Sequence, residues 1–321
     1  MDEGNSKVVR VLSEAATAAA HAAGQTACRA CGRDGKVLAW RDDGVVVRHG
    51  QAVAKAHAHG TDPEGHRVRV AVAAHPALAG ILLAPIPHAA AAVDGRLVTA
   101  WPYGSPVDPA DPDAAPWEET AALLARLHSV PAENLPGPLP AMRGPAKAAA
   151  AVARIPPGHP AAGPVLDAWA GLPAWARDEA PAPRPPRLCH GDLHLGQLVR
   201  HPPPDGPWVL IDVDDLGLGD PAWDLARPAA WYAAGLLPPD VWTRFLTAYQ
   251  AAGGPAVPPG SRDPWSQLDV PARALTVQTA ALALAKSVAE ERELDEVELL
   301  MTDACARIAA LPPELEGMIP S

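Results

Sequence analysis

Two stretches constrain what this chain can fold into. They are Leu188-Cys-His-Gly-Asp-Leu-His-Leu-Gly-Gln-Leu198 and Leu210-Ile-Asp-Val-Asp-Asp-Leu-Gly-Leu-Gly-Asp-Pro-Ala-Trp-Asp-Leu-Ala226. Leu188-Cys189 and Leu198-Val199 are short apolar pieces flanking a polar loop. Trp208 to Ile211 is a third, reached through the turn Pro202-Pro-Pro-Asp-Gly206. The pattern predicts a hairpin with polar residues at its mouth. Asp192 and Gln197 stand on one side of that mouth, and Asp212 closes it at the end of the last strand. A carboxylate, an amide oxygen and a second carboxylate around one hollow can orient a hydroxyl and hold a divalent cation. Mg²⁺ takes hard oxygen ligands and keeps waters and substrate phosphates in its shell.

The spacing sharpens this. In protein kinases an Asp is followed five residues later by an Asn, and further on by a metal-binding Asp. Here Gln197 follows Asp192 by five, and Asp212 follows it by twenty. Through His190, Gly191, Asp192, His194, Ile211, Asp212, Gly219, Asp220, Pro221, Asp224, Leu225 and Ala226, the chain resembles the aminoglycoside phosphotransferase and choline kinase-like family. That signature runs His-Gly-Asp-x-His-x-x-Asn, Ile-Asp, then Gly-Asp-Pro-x-x-Asp-Leu-Ala. Gln197 departs from the usual Asn, and His-Gly-Asp-x-His-x-Gly-Gln is similar to maltokinase-like and glucosamine kinase-like sugar kinases. Gln keeps the amide oxygen and adds one methylene, so it still reaches a metal.

The resemblance implies an α+β, two-lobed protein-kinase-like fold. Residues 1–103 would form a small nucleotide-binding lobe with an antiparallel sheet and a helix. Residues 104–321 would form a larger, mainly helical lobe for catalysis and substrate. The resemblance also implies Asp192 as the catalytic residue, Gln197 and Asp212 as Mg²⁺ ligands, and ATP as the phosphoryl donor.

Composition narrows the partners. A net charge of −11 over 321 residues opposes nonspecific binding to nucleic acid or to an anionic membrane. No run approaches the roughly 18 apolar residues of a membrane-spanning helix. The acidic start, Met1-Asp-Glu-Gly-Asn-Ser6, lacks a basic n-region, so no signal peptide is expected and the cytoplasm is the default compartment. Four cysteines are too few for a disulfide framework. Cys28-Arg-Ala-Cys31 has the spacing of half a zinc site but no second pair; His57 and His59 are conceivable partners, and a solvated turn with two thiols is the favoured reading.

In chain order, Ser6–Ala23 reads as an Ala-rich helix. Lys36–Trp40 and Val45–Arg48 read as strands across an Asp-Gly turn, with Ala52–His57 as a third. Lys55, in that third strand, takes from the resemblance the role of contacting the α- and β-phosphates. Asp62–Ala74 reads as a helix. Its Glu64 is either the carboxylate that pairs with Lys55 or an acid favoured at a helix start by the dipole. Ala79–Pro85 and Leu97–Trp101 read as strands, the second entering Trp101-Pro-Tyr-Gly-Ser-Pro106, which resembles the family hinge. Pro102 has no N–H, so Trp101 N–H and Thr99 C=O are the expected adenine readers.

The remaining helices are expected at Trp117–His128, Pro145–Arg154, Ala161–Arg177, Pro221–Ala234, Asp240–Ala252, Pro264–Glu290 and Asp295–Ala310. His128, Asp220 and Asp224 are expected to be structural. Asp214 and Asp215 read as second metal ligands or solvated acids. The acidic stretch 289–298 reads as a solvated helix junction, or as a wall for a cationic amino-sugar.

These readings converge on an ATP-dependent kinase for a hydroxyl of a small molecule: a sugar, an amino-sugar, an aminoglycoside-like antibiotic or an amino alcohol. The alternative is a nucleotide-binding pseudokinase or scaffold. Gln197 favours that alternative, while Asp192, Lys55 and Asp212 oppose it.

Overall fold

The structure is a computed structural model and describes residues 3–21, 35–41 and 43–311. Cys28 and Cys31 lie outside the described residues. In chain order the elements are α1 (Glu3–Ala20), β1 (Lys36–Arg41), β2 (Gly44–His49), β3 (Ala52–His57), α2 (Pro63–Ala73), β4 (Ile86–Val93), β5 (Arg96–Pro102), β6 (Ser105–Pro106), α3 (Trp117–His128), α4 (Gly144–Val152), α5 (Ala162–Ala170), β7 (Arg187–Cys189), β8 (Leu198–Arg200), β9 (Trp208–Leu210), β10 (Gly217–Gly219), α6 (Ala226–Ala233), α7 (Pro239–Ala251), α8 (Trp265–Ala289) and α9 (Glu296–Ala309). The class is α+β.

Two compact units divide the chain. One comprises Met1–Ala115, Asn134–Leu139 and Leu195–Asp214, and the other Pro116–Glu133, Pro140–His194 and Asp215–Ser321. The chain therefore changes unit inside each motif, after His194 and after Asp214. Asp192 belongs to one unit, and Gln197 and Asp212 to the other.

The first unit is built on an antiparallel sheet of order β1-β2-β3-β5-β4. Alternating residues of β2 and β3 send Val45, Val47, Ala54 and Ala56 to one face. There α1 lays down Val8, Leu12 and Ala16, spaced four apart as one helix stripe requires. β3 is the middle strand, so Lys55 projects from the best-anchored part of the sheet. α2 begins where the Asp62 side chain accepts from Glu64 N and Gly65 N, with Pro63 in the first turn.

The apolar run 79–85 is not a strand of the sheet. Ile81, Leu82 and Leu83 are buried, and Leu83 packs with Val199 and Val209 of the β8–β9 hairpin. The strand comes later, as β4. A short apolar run does not distinguish a strand from any other buried segment. The β8–β9 hairpin itself forms as expected. Leu188-Cys189 departs from it and pairs antiparallel with Gly217-Leu218 in the second unit.

The second unit is mainly helical. Val165, Val277, Ala280, Ala281, Leu284, Met301 and Cys305 bring α5, α8 and α9 into one core. α5 stops at Ala170, well short of Arg177. Gly171 caps it, and Pro173 opens a separate 3-10 turn at Ala174–Arg177. The stretch 289–298 is a solvated helix junction: Arg292 pairs with Glu290 and Glu298, and Asp295 and Glu298 close a capping box on α9.

Candidate active site

In the first unit Lys55 lies between two aspartates. Its Nζ is 2.7 Å from Asp212 Oδ2 and 2.9 Å from Asp214 Oδ2. Burial pushes the ammonium toward neutrality, but Asp212 and Asp214 win and hold its pKa above the usual lysine range. Asp214 is held well below the usual carboxylate range. Burial opposes this, and the His57 hydrogen bond and the Lys55 charge overcome it. Asp212 has φ +67, a left-handed conformation uncommon outside glycine, and its Oδ1 accepts from Asp214 N. Such backbone strain persists where the surroundings fix it, and functional sites are where it collects.

Gln197 Nε2 lies 3.5 Å from Asp212 Oδ2, and Gln197 C=O accepts from Ile211 N. The two side chains named from the motif are therefore neighbours. A Mg²⁺ ion needs oxygen ligands. Asp212 supplies them, and half a turn of the Gln197 amide brings its oxygen to the place its nitrogen now holds. The residues present fit such an ion.

Behind Lys55 runs a hydrogen-bonded chain. Trp101 Nε1 donates to Thr99 Oγ1 at 2.8 Å, His57 Nε2 lies 2.7 Å from the same oxygen, and His57 Nδ1 lies 3.1 Å from Asp214 Oδ2. The side chains of Thr99 and Trp101 thus lead to Lys55 through His57 and Asp214.

The main-chain groups of Thr99 and Trp101 point elsewhere. Tyr103 N donates to Gln51 O, and the β3–β5 register pairs Trp101 with Val53 and Thr99 with Lys55. Bonded pairs alternate along an antiparallel ladder, so both residues direct N–H and C=O toward β3. Those groups are spent in the sheet, which corrects the expectation that they read adenine. Glu64 settles its two readings as well. It stands in the exposed first turn of α2 and takes Arg67 at 2.9 Å, while the partners of Lys55 are Asp212 and Asp214.

In the second unit Asp192 lies between two cations. Lys147 Nζ is 2.8 Å from its Oδ2 and Arg227 Nη2 is 3.0 Å from its Oδ1. Lys147 also reaches Asp215 Oδ2 at 2.7 Å, and Arg143 lies 3.4 Å from Asp215. Burial pushes the Asp192 carboxyl up, but Lys147, Arg227 and His194 together hold it at about 2. For Asp215 burial prevails over Lys147, and the carboxyl is raised. Neither Asp214 nor Asp215 is a simply solvated acid.

The loop that presents Asp192 is held from below. The Asp224 carboxylate accepts from His190 N at 2.6 Å and Gly191 N at 2.8 Å, and lies 3.0 Å from His128 Nε2. His128 Nδ1 meets Tyr249 OH at 2.8 Å. Gly191 has φ +85, and a Cβ there would sit 2.3 Å from Asp215 O, so no other residue fits. Asp220 caps the turn at Ala222 N and takes Arg184. His128, Asp220 and Asp224 thus each bond to neighbouring side chains or backbone around the loop. Above the loop a small cavity is lined by Gly144, Lys147, Asp192, Trp223, Arg227 and Gln278, among others.

Sequence reasoning missed Lys147, Arg227 and His57. Lys147 had one usable signal, a single cation in an Ala-rich helix of a chain with only five lysines. Arg227 had another, its place directly after the Asp-Leu-Ala of the second motif.

The fold places the chain in the protein-kinase-like class. Residues 40–265 match the model of the phosphotransferase enzyme family, and the chain belongs to that family. It is a phosphotransferase with an alcohol group as acceptor.

The structure is similar to a choline/ethanolamine kinase family protein from Mesorhizobium loti, with 17% identity, 90% of each chain covered and a TM-score of 0.56. It is similar to a thermostable mutant of an aminoglycoside phosphotransferase, with 14% identity, 87% of this chain and 96% of that one covered and a TM-score of 0.59. It is also similar to a spectinomycin phosphotransferase in complex with ADP and spectinomycin, with 13% identity, 87% and 90% covered and a TM-score of 0.56. At these identities the likeness is one of fold. The comparison with curated protein sequences gives no match.

Proposed function

We propose that this enzyme transfers the γ-phosphoryl group of ATP to a hydroxyl of a small molecule, within the class of sugars, amino-sugars, aminoglycoside-like antibiotics and amino alcohols. The observation that carries the reading is Asp192. It is partly buried, ionised, presented by the His-Gly-Asp loop and open to a cavity in its own unit. A carboxylate with a pKa of about 2 is a weak base, so its role is to orient the acceptor hydroxyl and to accept its proton only as the phosphoryl bond forms.

Lys55 contacts phosphate oxygens in this reading, and Asp214 and His57 keep it in place. Asp212 and Gln197 hold Mg²⁺, which supplies neutralising charge to the triphosphate. Catalysis is then mostly positioning and electrostatic stabilisation. Residues 1–103 carry the nucleotide side and residues 104–321 the acceptor side, with the Gln197–Asp212 hairpin belonging functionally to the nucleotide. Among the described residues no helix is long and apolar enough to cross a membrane, which agrees with an acceptor met in solution. The solved relatives named above include one bound to ADP and spectinomycin, a nucleotide with a small-molecule acceptor.

The test is ATP consumption against a panel of sugars, amino-sugars, aminoglycosides and amino alcohols, with the phosphate ester identified by mass. Stoichiometric ester formation on one acceptor, lost in Asp192→Asn, supports the reading. ATP binding with no ester on any acceptor replaces it with the pseudokinase or scaffold reading.

A further inference from the structure

Two three-residue clusters of metal-ligating type occur among the described residues: His57–His66–Asp214 in the first unit and His128–Cys189–Asp224 in the second. In the second cluster nothing is left over. Both His128 nitrogens have partners, Asp224 takes two backbone N–H groups besides His128, and burial raises the Cys189 thiol pKa so that it stays protonated. A thiol is not a metal ligand in that form.

The first cluster is different. His66 is 4% exposed, and neither of its ring nitrogens has a hydrogen-bond partner. The His57 hydrogen bond goes to Asp214 Oδ2, and Asp214 Oδ1, though close to the same nitrogen, is buried without a hydrogen bond of its own. Two of these atoms, His66 Nδ1 and Asp214 Oδ1, face one another at 3.8 Å. Buried polar groups are nearly always satisfied, and an unsatisfied set that converges calls for a water or an ion. Asp214 Oδ1 lies 2.8 Å from His57 Nδ1 and 3.8 Å from His66 Nδ1. Tetrahedral zinc with ligands at about 2.0–2.1 Å has ligand–ligand edges of roughly 3.4 Å, between those two distances.

We infer that His57, His66 and Asp214 form a binding site for a divalent transition-metal ion of the zinc type. Two imidazole nitrogens with one carboxylate suit zinc and its neighbours and disfavour Mg²⁺, which takes oxygen. The support around the ligands is of the kind metal sites use: Thr99 Oγ1 meets the far nitrogen of His57, and Lys55 donates to the far oxygen of Asp214. His66 is in the right form to ligate, because burial and then the neighbouring His57 hold it neutral, at about 4. The site shares Asp214 with Lys55, so a bound ion loosens the lysine's second anchor and links phosphoryl transfer to transition-metal supply.

The test uses the full chain, stripped of metal and carrying Cys28→Ser and Cys31→Ser so that the thiols contribute nothing. It is titrated with Co²⁺ while the visible spectrum of the bound ion is followed. One equivalent should bind with a tetrahedral spectrum and be displaced by Zn²⁺ but not by excess Mg²⁺. His66→Leu should weaken binding at least about 100-fold, beyond what loss of a supporting residue costs. It should fold as well as the parent by thermal melt, because the His66 side chain makes no hydrogen bond. His57→Gln should weaken binding likewise. No Co²⁺ binding, or binding that His66→Leu leaves unchanged, overturns the site and makes His66 a buried packing residue. The readout is independent of phosphoryl transfer, so either proposal can fail alone.

Discussion

Each of the two units holds a lysine between two aspartates. In the first, Lys55 joins Asp212 and Asp214, and in the second, Lys147 joins Asp192 and Asp215. The distances are nearly the same, and the difference is in what the lysine is attached to. Lys55 rises from the middle strand of a five-stranded sheet, with His57 and Thr99 fixing the carboxylate it leans on. Lys147 hangs from a nine-residue Ala-rich helix whose N-terminal position carries no side-chain cap. In the proposed reading the first lysine's rigid seat suits a fixed phosphate, and the second is tethered to the residue that would adjust to an acceptor.

The comparison breaks most sharply at Asp192. Asp192→Asn is expected to lower kcat by about 10²–10⁴-fold, the range of a positioned acid–base group, while nucleotide affinity by calorimetry stays near wild type. Equal losses in both would mean that the second cluster serves the nucleotide as well, and the division of labour would be wrong. Lys55→Met and Asp212→Ala should behave in the opposite way. Each is expected to cost roughly 10²–10³-fold in kcat/KM, as removal of one preorganised charge does, with a matching fall in ATP affinity.

That division was only half legible in the sequence. Lys55 could be placed because a hairpin, an alternating strand and the motif order all bear on it. Its partners could not, because Glu64 sat at the expected helix while the real anchors, Asp212 and Asp214, lie 157 and 159 residues away. Asp192, Gln197 and Asp212 were readable as loop residues with oxygen chemistry. Lys147 and Arg227 were not, because a helix face becomes visible only when its neighbours are known. The strand at 86–93 was missed for a related reason: the apolar run before it bonds its backbone to Leu210 of the β8–β9 hairpin and not to the five-stranded sheet.

Lys147→Met sharpens the comparison at a smaller scale. Lys147 is the leading influence that lowers Asp192 against burial, so its loss raises the carboxyl from about 2. The sign follows from the depressed pKa. In the wild type, Asp192 contributes stability that is complete above its unfolded value of about 3.9 and is lost as pH falls toward 2. The variant should lose that contribution, and its kcat/KM should gain an acid limb at higher pH than the wild type shows. At neutral pH a loss of about 10-fold is expected, because Arg227 still orients the carboxylate. A pH profile that superimposes on wild type would show that Lys147 only packs.

The smallest effect belongs to Gln197. Its amide now faces Asp212 at 3.5 Å, near the outer limit of a hydrogen bond, so in the metal-free state it contributes little. If Mg²⁺ binds as proposed, Gln197 would be a neutral ligand beside the charged Asp212. Gln197→Ala replaces one oxygen ligand with a water, and Mg²⁺ readily accepts waters in its shell. The expected result is a several-fold higher Mg²⁺ concentration for half-maximal turnover, with most of the maximal rate retained. Gln197→Asn should fall between wild type and Ala. It restores the family's usual residue but shortens the reach in a hairpin whose Ile211 N–H already fixes the Gln197 backbone. A Mg²⁺ titration of ATP binding and of turnover measures both. If Gln197→Ala titrates like wild type, the ion is held by Asp212 without Gln197, and the added methylene in this loop is a matter of packing rather than of ligand reach.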